Sequence, residues 1–227
     1  MKITYYGHAS FIVEINNKKL LFDPFISINP LASHIDISSI KTDYILISHG
    51  HRDHILNTLE IAKANNATII SNPEISNWFI NKGYKNTCPL NTGGKHLFDF
   101  GIVKLTNAIH SSVLPDGTNG GNPGGFYIET GDSAFYFAGD TALSMDMKLI
   151  GNNKKIIFAF LPIGDTYTMG IDDAIIASDF IKCNTIIGMH YDTFPDIIIN
   201  KKEAIDKFSA SGKKLILMNI GKEIIIN

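Results

Sequence analysis

Three histidines and one aspartate fall within the six residues His49-Gly50-His51-Arg52-Asp53-His54. Imidazole and carboxylate groups suit zinc, manganese or iron, and no thiolate is present to force zinc. The motif directly follows Tyr44-Ile45-Leu46-Ile47, an apolar, β-branched run that reads as a strand. Alternate residues of an extended chain point the same way, so His49 and His51 can reach one metal as a pair. Asp53 and His54 fall where the chain turns into a helix and can face a second metal. Three more candidate ligands follow apolar runs: His110 after 102–109, Asp140 after 135–139 and His190 after 185–189. Taken singly, each would more often be structural. Taken with the first motif, they complete two sites: His49, His51 and His110 for one metal, and Asp53, His54 and His190 for the other. Asp140 can bridge them through its two oxygens. Strand ends gathered on one sheet edge are where α/β folds place their chemistry.

The elements that must position these residues are mostly short strands. Runs rich in Ile, Phe and Tyr occur at 2–6, 11–15, 19–22, 44–47, 67–70, 102–105, 125–128, 134–137, 156–159, 185–187, 214–217 and 223–226. Asn16-Asn17 and Gly131-Asp132 mark hairpins. Asn72 can cap a helix with Pro73 at its first position. Asn200 with Glu203 opens another, which Gly212 ends. The segment 171–182 starts with Asp172 and Asp173, favourable at a helix N-terminus. Strands mixed with helices predict a layered α/β arrangement. The stretch 111–125 holds five glycines and two prolines and is expected to be a loop, either a solvated one or a flap following His110.

Composition bounds the rest. A chain of 227 residues with 44% hydrophobic and 19% charged residues suits one globular domain spanning 1–227. A formal net charge of -2 argues against a general nucleic-acid binder. Cys88 and Cys183 share no metal-type spacing, and they read as buried or half-buried thiols with no need of an oxidising compartment. The sequence has neither a signal-peptide pattern nor an apolar run approaching 18 residues, so a cytoplasmic protein with no membrane span is expected.

The ligand pattern resembles the metallo-β-lactamase superfamily, whose H-x-H-x-D-H signature is matched at 49–54 and whose downstream ligands match His110, Asp140 and His190 in order. Within it, the chain is similar to the bacterial metal-dependent hydrolases related to ascorbate-6-phosphate lactonase. Gly7-His8-Ala9-Ser10-Phe11, Leu161-Pro162-Ile163-Gly164-Asp165 with Thr168-Met169-Gly170, and His190-Tyr191-Asp192-Thr193-Phe194-Pro195 carry that narrower likeness. That branch often has Asn where this chain has Asp192. The resemblance implies a four-layer αβ/βα sandwich, with two mixed β-sheets flanked by helices and metals at the edge between the sheets.

The chemistry expected is hydrolysis with two divalent transition metals, zinc foremost and manganese or iron as alternatives. Metal lowers the pKa of bound water from 15.7 to about 7, giving a bridging hydroxide that can attack carbon or phosphorus. Asp53 would orient it, and His190 counts among the catalytic residues. Asp23 is the candidate carboxylate behind a ligand histidine, a role supported by the same position in the family. His8 is either a substrate contact or a hydrogen-bonded structural histidine. Asp165 either orients a ligand or aids leaving-group protonation, against an ordinary turn role. Tyr191 can donate a hydrogen bond or simply pack. His34 and His96 have no supporting context. The substrate expected is a small ester, lactone or phosphate ester, and a homo-oligomer stays open. The rival readings are a nuclease or phosphodiesterase, a flavin-linked di-iron protein and a non-catalytic metal-binding module. The di-iron type typically carries Glu where this chain has His51.

Overall fold

The computed structural model describes residues 1–152 and 154–226. The chain divides into two compact units. One comprises 1–91, 111–123 and 219–227, and the other comprises 92–110 and 124–218.

The first unit is built on β1 (Lys2–Gly7), β2 (Ser10–Ile15), β3 (Lys18–Phe22), β4 (Tyr44–Leu46), β5 (Thr68–Ser71), β6 (Thr87–Pro89) and β14 (Glu223–Ile225). Their order in the sheet is β14-β1-β2-β3-β4-β5-β6. Pairing is antiparallel from β14 to β3 and parallel from β3 to β6. Ile15 pairs with Lys18 across a two-residue turn in which Asn16 and Asn17 have φ of 48° and 61°. Left-handed backbone at both positions is what a type I′ hairpin needs, and asparagine tolerates it. The parallel strands are linked through α1 (Arg52–Ile55), α2 (Thr58–Asn65) and α3 (Pro73–Asn81). Asn72 caps α3 by accepting from the Ile75 amide. Ile61, Ile75 and Phe79 of the helices pack with Ile12, Leu21, Ile45 and Ile69 of the sheet.

The second unit repeats this plan. Its strands are β7 (Lys95–Phe98), β8 (Gly101–Asn107), β9 (Gly124–Thr130), β10 (Ser133–Phe137), β11 (Ile156–Pro162), β12 (Thr185–Met189) and β13 (Lys214–Ile216). The order is β13-β12-β11-β10-β9-β8-β7. Pairing is antiparallel from β7 to β10 and parallel from β10 to β13. The parallel strands are linked through α4 (Met147–Ile150), α5 (Ile171–Phe180) and α6 (Lys201–Ala210). Phenylalanines dominate this core: Phe135 stacks on Phe158 at 5.1 Å, and Phe158 meets Phe160 edge-on at 5.5 Å. Asn200 caps α6 through the Glu203 amide. In both units the fourth strand, β3 or β10, is antiparallel to one neighbour and parallel to the other. Such a switch of direction is where open sheets leave a crevice.

Every run read as a strand forms one. Two strands escaped that reading, β6 and β7, and each is an edge strand. The residues of β7, Lys-His-Leu-Phe, are largely exposed, so no buried face imposes an alternating pattern. The four-residue α4 and the α2 segment also gave no clear signal. The expected loop 111–125 is corrected at its end: Gly124 and Gly125 begin β9. A Cβ on Gly125 would stand 2.6 Å from the Phe137 carbonyl oxygen, so this glycine serves close strand approach rather than loop freedom. Segment 111–123 is also tied down. Val113 bridges to Asn119, and Leu114 is buried in the first unit's core. Asn72 Nδ2 donates to the carbonyls of Gly120 and Asn122, and Trp78 Nε1 donates to Asp116.

Candidate metal centre

The first unit gathers seven polar side chains past the ends of β1, β3 and β4. Pairing of β4 with buried β3 and β5 holds the backbone that enters His49. His49 Nε2 and His51 Nδ1 approach to 2.9 Å, as the alternation of an extended chain predicts. Their other nitrogens are occupied. His49 Nδ1 lies 2.9 Å from Ser48 Oγ, and His51 Nε2 lies 3.3 Å from Ser111 Oγ. Ser48 Oγ donates to Asp23 Oδ2 at 2.5 Å, while the Ser48 amide donates to Asp23 Oδ1 at 2.8 Å. Asp23 Oδ2 also lies 2.8 Å from His54 Nδ1. One fully buried carboxylate therefore orients His54 directly and His49 through Ser48.

Burial pushes the Asp23 carboxyl above its ordinary range, opposed chiefly by the hydrogen bond with His54. The three orienting contacts leave Nε2 of His49, Nδ1 of His51 and Nε2 of His54 as the inward nitrogens. This is the outer support that metal-bound histidines require. His54 Nε2 lies 3.7 Å from Asp53 Oδ2, and His8 Nε2 lies 3.1 Å from the same oxygen. The donors of a tetrahedral zinc with bonds of about 2.0–2.1 Å stand about 3.3 Å apart, so these separations fit the metals expected.

The second unit gathers the other three candidates. Asp140 Oδ2 lies 3.0 Å from His190 Nε2 and 3.7 Å from His110 Nε2. Asp140 and His190 are each 2% exposed, so water does little to solvate them. Asp140 follows the switch strand β10 just as Asp23 follows the switch strand β3. His8, Asp23 and His190 all hold left-handed backbone, with φ of 57°, 38° and 56°. Such conformations cost roughly 1–3 kcal/mol each in non-glycine residues and cluster at functional sites.

The remaining candidates separate clearly. His8 is fully buried, with its Nε2 3.1 Å from Asp53 Oδ2. Asp165 is exposed in a turn, and its carboxylate accepts from the Thr166 amide. Tyr191 is buried beneath Lys201, and burial raises its phenol pKa. His34 and His96 are exposed, and His96 packs edge-on to Phe98. Cys88 is half-buried and Cys183 buried, both as free thiols. Ser48 and Ser111 were missed by sequence reasoning. Each directly neighbours a candidate histidine, and that adjacency was the one signal available.

A beta-lactamase superfamily domain model matches residues 2–190. The chain belongs to that superfamily. It is 55% identical over 224 residues to a UPF0173 metal-dependent hydrolase of Flavobacterium johnsoniae, with 99% of each chain covered. A relative of the same description from Christiangramia forsetii is 53% identical over 225 residues, again with 99% of each covered. Among solved structures, Igni18, a metallo hydrolase from the hyperthermophilic archaeon Ignicoccus hospitalis, superposes with a TM-score of 0.89 at 35% identity. The match covers 98% of this chain and 97% of that one. The fold is the metallo-β-lactamase type, and the protein is a metal-dependent hydrolase.

Proposed function

We propose that the chain acts as one catalytic domain, 1–227, that hydrolyses a small ester, lactone or phosphate ester with two divalent metals, zinc foremost. His49, His51 and His110 would hold one metal, Asp53, His54 and His190 the other, and Asp140 both. What carries this reading is the convergence of His49 Nε2 and His51 Nδ1 at 2.9 Å, with their outer nitrogens on Ser48 and Ser111. The sequence supports joining the two ligand sets, because Ser111 immediately follows His110.

When bound, the metals would supply a water ionisable near neutral pH and a Lewis acid for the developing oxyanion. The protein's own part is positional. Asp23 and Ser48 keep His54 and His49 oriented, and Asp53 is held to aim one oxygen at the attacking water. Asp165, exposed at its turn, is available to protonate the leaving group. The cytoplasm is the proposed location, with a small molecule as the partner.

The test is metal analysis followed by assay of metal-reconstituted protein on lactone, carboxyl-ester, phosphomonoester, phosphodiester and β-lactam substrates. Two metals per chain are expected, with hydrolysis of one of the first three that chelation abolishes. Absence of metal, or activity confined to phosphodiesters or β-lactams, would overturn the reading.

A further inference from the structure

We infer that His8 is itself a ligand of the second metal, so that the first unit alone supplies three donors to it: His8 Nε2, an Asp53 oxygen and His54 Nε2. The inference rests on the two-metal reading above and goes beyond its ligand set.

Three observations carry it. First, the donors converge. His8 Nε2 lies 3.1 Å and His54 Nε2 3.7 Å from the same Asp53 oxygen, and the ligand atoms of all three residues lie within 4.8 Å of one another. These distances bracket the edge of about 3.3 Å expected around a tetrahedral zinc. Second, the His8 and His54 side chains are both fully buried, with ring centroids 5.2 Å apart, so the two imidazoles share one water-poor site. Third, the chain holds His8 in place at some cost. Its φ is 57°, a conformation that glycine or asparagine adopts more readily. The register of β1 on β2 shifts between Tyr5 and Gly7, Tyr5 Oη donates to the His8 carbonyl, and Phe25 meets the ring edge-on. The imidazole is fully buried. A residue whose only task was to turn the chain would need neither the ring nor its burial.

The consequence is an uneven pair of metal sites. The second metal would have three ligands from one compact unit, and the first would have two, His49 and His51.

The experiment is cobalt(II) titration of metal-free wild type, His8→Ala and His8→Gln, followed by visible absorption and by calorimetry, with folding checked by circular dichroism. Wild type should take up two cobalt ions. Both variants should lose at least about a hundredfold in affinity for one of the two, beyond the usual outer-shell effect, with the other unchanged and the d–d bands altered. Glutamine keeps a donor for Asp53 but is a poor cobalt ligand. Wild-type affinity and spectrum in His8→Gln would make His8 a hydrogen-bond donor only and overturn the inference. Should His8→Ala fail to fold, His8→Gln alone decides between these outcomes. Uptake of no cobalt by wild type would overturn the two-metal reading and the inference with it. Two ions in wild type with unchanged affinity in both variants would overturn the inference alone.

Discussion

His49 Nε2 and His51 Nδ1 face each other at 2.9 Å, each ring held from behind by a serine hydroxyl. Two imidazole nitrogens at that separation offer a cation two donors, as the proposed ligand set requires. His51→Ala should abolish binding of one metal and reduce hydrolysis by at least about a thousandfold, since removal of a metal ligand exceeds the 10–100-fold effect of removing its support. Metal content by mass spectrometry of the purified variant checks this, and full retention of two metals would refute the ligand assignment.

Ser48→Ala removes the hydroxyl that links Asp23 to His49. The Ser48 amide bond to Asp23 survives, so the backbone has no cause to move. We expect a 10–100-fold loss in affinity for the metal held by His49. Stability of the metal-free protein should fall by about 1–3 kcal/mol, because a buried histidine and a buried carboxylate each lose a partner. Denaturant melts and metal titration on the same preparation read both effects.

Gly164→Ala replaces no candidate ligand, yet a Cβ there would stand 2.1 Å from the carbonyl oxygen of the candidate ligand His190. Backbone cannot yield that distance without displacing His190. The expected outcome is a protein that folds with reduced stability and a turnover lowered roughly 10–100-fold, the effect of shifting a ligand by a fraction of an ångström to 1 Å. Wild-type kinetics in this variant would show that His190 is not held by this contact.

Burial raises the Tyr127 and Tyr136 phenols to about 12 in each case. Their unfolded value is about 10. Between about pH 10 and pH 12 the unfolded chain releases protons that the folded chain retains, so unfolding is favoured as pH rises. Stability should be insensitive to these tyrosines below about pH 10 and should fall steeply above it. Tyr136→Phe should flatten that fall. Thermal melts across pH 8–12 give the comparison.

The single tryptophan, Trp78, donates from Nε1 to Asp116 at the tip of segment 111–123, and Lys82 lies 4.2 Å over its ring. Asp116→Ala at neutral pH should shift the indole emission, and limited proteolysis should cut within 111–123 faster than in wild type. Unchanged emission and cleavage would show that this bond does not hold the segment.

The sequence by itself supplied the candidate ligands and most of the elements. The period-2 geometry of a strand already pairs His49 with His51, and a capping asparagine before Pro73 already starts α3. Such features depend on neighbours a few residues away, so local patterns suffice to reveal them. Edge strands such as β7 escaped because no buried face dictated their residues. Only tertiary structure decided that Asp23 serves both His54 and His49, that Ser111 backs His51, and that His8 is sealed beside Asp53. These pairings join residues 25 to 60 positions apart, and they exist because sheet pairing brings the ends of β1, β3 and β4 to one edge and because segment 111–123 is bonded to the His49–His51 stretch. A one-dimensional pattern carries no record of which strand ends become neighbours.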